Sequence, residues 1–190
     1  MIPEKIRTSE PEWNEESVLA ESKRNPKAFD VIYTRYYKRI FVFIHHRVGD
    51  KQTSADITQQ VFLNALVNLG KYQFRGLPFS SWLFRIAINE CNGYFRNSKR
   101  MRLVVIEEAS MIQLYEELIA DNTKEELYQR LPDILQKLQP AELQFIELRY
   151  FEERPFKEIG DIFEITETHA KVKTYRVIDK IKKIFLRNEI

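Results

Sequence analysis

A chain of 190 residues, 44% hydrophobic and 31% charged, suffices for one medium domain or two small helical ones with lean cores. A single cysteine, Cys91, excludes an internal disulfide and any cysteine-based zinc cluster, and no apolar run reaches the length of a signal peptide or a membrane span. A soluble, cytoplasmic chain with no membrane insertion is expected. The net charge of +2 hides an uneven distribution: residues 1–100 carry 16 basic and 10 acidic side chains, residues 101–127 carry 2 and 7, and residues 128–190 carry 12 and 11. Two blocks with basic faces joined by an acidic connector suit a polyanionic partner. Five glycines and few alternating β-branched runs predict an all-α chain.

In chain order, Ser17 to Lys23 reads as a short amphipathic helix stopped by Asn25-Pro26. A helix from Pro26 to Val48 carries one apolar stripe, Phe29, Ile32, Tyr33, Tyr36, Ile40, Phe43 and Ile44, and ends at Gly49-Asp50. Thr53 or Ser54 is the expected cap of a third helix running to Leu69, with Ile57, Val61, Phe62, Ala65, Leu66 and Leu69 inward. Gly70 to Pro78 is a loop unusually rich in aromatic and basic residues. Ser80 or Ser81 is the expected cap of a fourth helix to about Arg96. The stretch from Glu107 to Glu126 is read as a partly helical acidic connector. A second helical unit follows through Leu131–Leu138, then Leu143–Tyr150. A short helix at Phe156–Ile162, a turn at Phe163–Ile165 and a long last helix starting at Thr166 or Thr168 have helix-turn-helix spacing.

The candidate chemistry lies in two places. In the last helix Ala170, Thr174, Val177, Ile181 and Ile184 recur at helical period and face inward, while Lys171 to Arg187 contains seven basic residues against Asp179 alone. Lys171 and Tyr175 share a face near the end that meets base edges in such motifs, and Lys173, Arg176 and Lys180 suit phosphates. Glu164 and Glu167 put negative charge beside this proposed groove. In the first block Tyr72, Phe74, Phe79 and Trp82 surround the loop, with Arg75, Arg85, Arg96, Lys99, Arg100 and Arg102 nearby. Aromatic rings hold unstacked bases at about 1–3 kcal/mol each, and a basic groove holds the backbone. Core packing is the alternative for Phe79, Trp82 and Phe84, and spacing alone leaves it open.

Asp56-Ile-Thr-Gln-Gln-Val-Phe62, followed by Phe79-Ser-Ser-Trp-Leu-Phe-Arg-Ile-Ala-Ile-Asn89, resembles the second region of bacterial sigma-70 factors of the extracytoplasmic-function type. Phe156-Lys-Glu-Ile-Gly-Asp-Ile-Phe-Glu-Ile165 and the basic helix after it resemble that family's fourth region. The resemblance implies two small helical domains, residues 1–104 and 127–190, joined by a linker at 105–126. It implies a sigma factor that directs core RNA polymerase to specific promoters, with no enzymatic activity, cofactor, metal or small-molecule substrate of its own. By position, Asp56, Gln59, Gln60 and Asn64 correspond to the surface that grips the polymerase; their spacing permits one exposed helix face. Tyr72, Phe74, Arg75, Ser80, Trp82, Arg85, Asn89 and Arg96 correspond to the element that opens the −10 region. Thr168, His169, Lys171, Val172, Lys173, Tyr175, Arg176 and Lys180 correspond to the reader of the −35 region. An anti-sigma partner covering these surfaces is also implied. The chain departs from the family in having Glu164 where the turn usually has Gly, and Thr166-Glu-Thr-His-Ala170 at the entry to the last helix. The loop at Lys71–Pro78 differs in length as well.

Two other classes follow from the residues alone. A dimeric helix-turn-helix regulator explains residues 156–187 but leaves the Asp56–Asn89 block without a purpose. A protein-sequestering module predicts partner binding without transcription. An enzyme lacks support: His45 and His46 point about 100° apart on a helix, and neither a zinc-binding HExxH spacing nor a glycine-rich phosphate loop is present.

Overall fold

A computed structural model describes residues 13–98, 108–118 and 124–187, and every regular element among them is helical. Lys99, Arg100 and Arg102 lie outside the described residues. Helix α1 (Glu15–Arg24) is capped by Asn14, whose side chain accepts from the Ser17 amide at 3.0 Å. A 3-10 turn, Pro26–Ala28, leads into α2 (Phe29–Val48). Gly49 closes α2 at φ +76°, a left-handed C-cap that glycine adopts without steric penalty.

Two caps differ from those expected. Helix α3 (Lys51–Asn68) begins at Lys51 because Asp50, not Thr53 or Ser54, is its cap; the Asp50 carboxylate accepts from the Thr53 amide at 2.7 Å. A carboxylate there both satisfies an orphan amide and complements the helix dipole, while Ser54 is buried. Helix α4 (Phe79–Ser98) is not started by Ser80 or Ser81, both of which are buried. Instead the Phe79 amide donates to Glu15 of α1 at 2.8 Å, a cap supplied from 64 residues away.

The second block comprises α5 (Glu108–Leu118), α6 (Lys124–Gln136), α7 (Pro140–Ile146), α8 (Phe156–Ile162) and α9 (Glu167–Arg187). Between α7 and α8, Glu147–Phe151 forms a π-helical turn. Helix α5 lies within the acidic stretch and buries Leu114 and Tyr115 with Leu131, Leu135, Ile146 and Ile181 in a second core. The first core, built on Ile32, Ile40, Phe43, Val61, Phe79, Leu83 and Phe84, extends into the second block through Leu148, Ile159 and Ile162. The two helical units are therefore docked on each other, with α4 against α8.

The helix-turn-helix rests on Gly160. A Cβ there would stand 2.8 Å from the Ile165 carbonyl and 3.2 Å from the Glu167 amide, and both are backbone atoms that cannot swing aside. Thr166 caps α9, accepting from the His169 amide at 3.2 Å. Glu164 takes a left-handed φ of +56°, a conformation that costs a non-glycine residue about 1–2 kcal/mol. Gly160→Ala is expected to destabilise the fold by about 1–3 kcal/mol through overpacking; an unchanged melting temperature would refute this account of the turn.

Candidate nucleic-acid interface

Three surfaces carry the residues singled out by sequence. On α3, Asp56, Gln59 and Gln60 are exposed and Asn64 is half-buried. Gln52 donates to Asp56 at 3.1 Å, Gln60 to Asn64 at 3.0 Å, and Asn64 to Glu90 of α4 at 2.7 Å, so the polar face is held in register. The same face presents Leu63, 53% exposed, and Val67, 72% exposed. Sequence reasoning missed both; the available signal was that neither fits the inward stripe of Ile57, Val61 and Leu69.

Where the first block meets α8, a cleft of about 170 Å³ is lined by Lys71, Tyr72, Arg75, Trp82 and Arg85 with their loop neighbours, and also by Asp161 of α8. Tyr72 stands edge-on to Phe79 at 5.0 Å and tilted against Trp82 at 4.9 Å. Burial, reinforced by the nearby carboxylates of Glu15 and Asp161, pushes the Tyr72 hydroxyl up to about 12, so it stays protonated and able to donate. Its carbonyl accepts from Lys23 at 2.6 Å, and Gly76, at φ +69°, turns the loop. Phe79 and Phe84 are fully buried core, whereas Trp82 is partly exposed on the cleft. Phe74 and Arg75 are exposed; Asn89 and Arg96 are exposed further along α4. Ser80 is buried at 2% and offers no hydroxyl to the cleft.

Arg85 is committed to the second block. Its guanidinium donates to Glu164 at 2.6 Å and to the Asp161 carbonyl at 2.9 Å, with the Asp161 carboxylate 3.5 Å away. Arg75 approaches the same Asp161 at 4.0 Å. Alongside, Ser81 donates to Glu158 at 3.1 Å and Arg39 pairs with Glu152 at 3.6 Å. Desolvation by burial raises the carboxyls of Glu158 and Glu152 above their usual range, against the opposing pull of Ser81 on the first and Arg39 on both. A buried ion pair joins Arg47 of α2 to Glu147 in the π turn.

On α9, Ala170, Thr174, Val177 and Ile181 are buried and Ile184 packs partly against the second core, which leaves the opposite face outward. Thr168, His169, Lys171, Val172, Tyr175 and Arg176 are exposed along its N-terminal half. Lys173 lies over the Phe145 ring at 5.6 Å. Lys180 turns toward α7, pairing with Glu142 at 2.7 Å; there desolvation opposes ionisation, but the Lys180 bond and the Gln139 amide outweigh it and lower the Glu142 carboxyl. Six of the eight residues thus form one outward patch, with Lys173 and Lys180 drawn to its flank. No group of His, Cys, Asp and Glu among the described residues could hold a metal ion, and no described helix is long and apolar enough to cross a membrane.

Both blocks match families of known proteins. The family described as Sigma-70 region 2 matches residues 32–101, and that described as Sigma-70, region 4 matches residues 134–183. The chain is 27% identical over 158 residues to the ECF RNA polymerase sigma factor BldN of Streptomyces coelicolor, covering 83% of this chain and 60% of that protein. It is 26% identical over 170 residues to the ECF RNA polymerase sigma factor SigW of Bacillus subtilis, covering 85% of this chain and 90% of that one. The chain also resembles CnrH in its complex with the cytosolic domain of CnrY, with a TM-score of 0.59, 18% identity, and coverage of 92% of this chain and 97% of that one, a likeness of fold. With both regions present in order, the chain belongs to the sigma-70 family, as a factor of the extracytoplasmic-function type.

Proposed function

We propose that the chain directs core RNA polymerase to specific promoters and initiates transcription there, acting in the cytoplasm and performing no covalent chemistry itself. The outward face of α3 binds the polymerase. The exposed half of α9 enters the −35 duplex, with Lys171 and Tyr175 toward base edges and Arg176, Lys173 and Lys180 toward phosphates. Tyr72, Trp82, Arg75 and Arg85 hold the opened −10 strand. Unstacking a base costs a few kcal/mol; stacking on the cleft and phosphate contacts, available only to the open strand, offset it at about 1–3 kcal/mol per base. Melting is thus driven by binding energy. An anti-sigma factor that covers these surfaces completes the set of partners.

The observation that carries this reading is the coexistence of an aromatic, arginine-lined cleft with a helix-turn-helix whose exposed face is basic. A stand-alone duplex binder has no use for the cleft. The test is co-purification with core RNA polymerase. Wild type should bind stoichiometrically, and Asp56→Arg with Gln60→Ala should lose most of that binding. A folded wild type that ignores polymerase but binds a palindromic duplex would instead identify an independent regulator.

A further inference from the structure

The loop that carries the cleft aromatics is held at both ends by one helix. At its start, the Lys23 ammonium of α1 donates to the Tyr72 carbonyl at 2.6 Å and stands 6.0 Å from the Tyr72 ring centroid. At its end, Glu15 of α1 accepts from the Phe79 amide, the first of α4, at 2.8 Å. Tyr36 of α2 donates to the other Glu15 oxygen, which fixes that carboxylate in place. Glu15, Leu19, Ser22 and Lys23 follow steps of 4, 3 and 1 along one face of α1. Leu19 and Ser22 are buried, so this face is seated on the first block. The loop needs such a support. Extended, the chain from Tyr72 to Phe79 reaches about 24 Å, yet the two rings meet at 5.0 Å, and Gly76 at φ +69° folds the slack between them. A helix does not stretch, and Glu15 and Lys23 lie about 12 Å apart along its axis. The cleft is lined by residues between Lys71 and Arg85 and by Asp161, and its lining includes neither Glu15 nor Lys23.

We infer that α1 is a splint for strand capture: Lys23 and Glu15 are positioning residues that set Tyr72 and Trp82 at the spacing an unstacked base requires, without touching DNA themselves. The inference rests on the promoter-recognition reading and adds α1 to its machinery. An unsplinted loop samples many arrangements, and ordering it at the moment of capture costs conformational entropy that the splint has already removed. The step affected is opening, not duplex contact through α9 or polymerase contact through α3. The two anchors carry opposite charge, which separates positioning from electrostatics. Lys23→Ala removes a positive charge and Glu15→Ala a negative one. Side chains acting on the strand by charge would shift opening in opposite directions; a broken splint lowers it in both.

The probe is a duplex promoter selected by wild-type holoenzyme from a randomised DNA library. Permanganate oxidation of unpaired thymines reads opening, and gel shift reads total binding. Both alanine variants should lower opening about tenfold, the loss of one hydrogen bond to a charged group, while duplex binding and polymerase co-purification stay within about twofold of wild type. Lys23→Arg and Glu15→Gln keep the donor and the acceptor and should open the promoter nearly as wild type does. In a Trp13→Phe background Trp82 is the sole tryptophan. Its quenching by acrylamide should rise in Lys23→Ala and stay at the background level in Lys23→Arg. Lys23 is exposed, so Lys23→Ala keeps the fold even where Glu15→Ala lowers the melting temperature. Unchanged opening in Lys23→Ala, or effects of opposite sign in the two alanine variants, would overturn the inference and leave the promoter reading intact. A wild-type holoenzyme that assembles but selects no promoter would overturn the promoter reading itself, and the role of the splint in capture with it.

Discussion

Replacing Arg47 with Ala is expected to separate the unfolding of the two blocks. Arg47 and Glu147 are 2% and 7% exposed at their side chains, and the guanidinium also donates to the Phe43 carbonyl at 3.0 Å and lies 3.3 Å from the Phe43 ring centroid. Removing one partner of such a pair strands the other charge away from water, at a cost of about 3–5 kcal/mol. That cost falls on the docked arrangement, because the partners sit on different blocks. Both tryptophans, Trp13 and Trp82, lie in the first block, so their fluorescence follows that block alone, whereas far-ultraviolet circular dichroism follows all helices. In wild type the two denaturant transitions should coincide, and in Arg47→Ala they should diverge. The double variant Arg47→Met with Glu147→Met should bring them back together, because an apolar replacement of both partners leaves no buried charge. Coinciding transitions in Arg47→Ala would mean that the pair contributes nothing to docking.

What was legible in the sequence was whatever repeats locally. The stripe from Phe29 to Ile44 and the inward set Ala170, Thr174, Val177 and Ile181 are set by helical period, and all four of the latter are buried. The aromatic loop stood out because connecting segments seldom carry Tyr72, Phe74 and Arg75 together. What escaped were features decided by distant partners. Glu15 caps α4 across 64 residues, so Ser80 and Ser81 are drawn inward, and no local cap rule reports that exchange. Asp161 and Glu158 are acids on a short helix, and nothing in their spacing says that they meet Arg85 and Ser81 rather than water. Glu164 is intermediate: its departure from glycine was visible, but the reason is a guanidinium 79 positions away. Lys180 was grouped with its helix neighbours by charge alone, and only α7 explains why it turns toward Glu142.

On α3 the largest loss of polymerase binding is expected from the apolar residues within the polar face. Asp56, Gln59, Gln60, Leu63, Asn64 and Val67 follow steps of 3, 1, 3, 1 and 3, one continuous face at helical period. Asp56, Gln59 and Gln60 are hydrated in the free chain, so each exchanges water for partner contacts at small net gain, and Asn64 is already tied to Glu90. Leu63 and Val67 are different, because two large apolar side chains exposed next to each other on one face release their hydration only when a partner covers them. Truncation of a central, fully covered anchor typically costs 2 kcal/mol or more, and introducing a charge costs further desolvation. Leu63→Glu with Val67→Glu should therefore weaken binding to core polymerase by about a hundredfold or more, against about tenfold for Gln59→Ala with Gln60→Ala. Because both apolar positions are already exposed, circular dichroism and melting temperature should stay within the range of wild type. Titration of labelled protein with core polymerase reads the two affinities directly. A glutamate pair that binds as well as wild type would move the polymerase contact off this face.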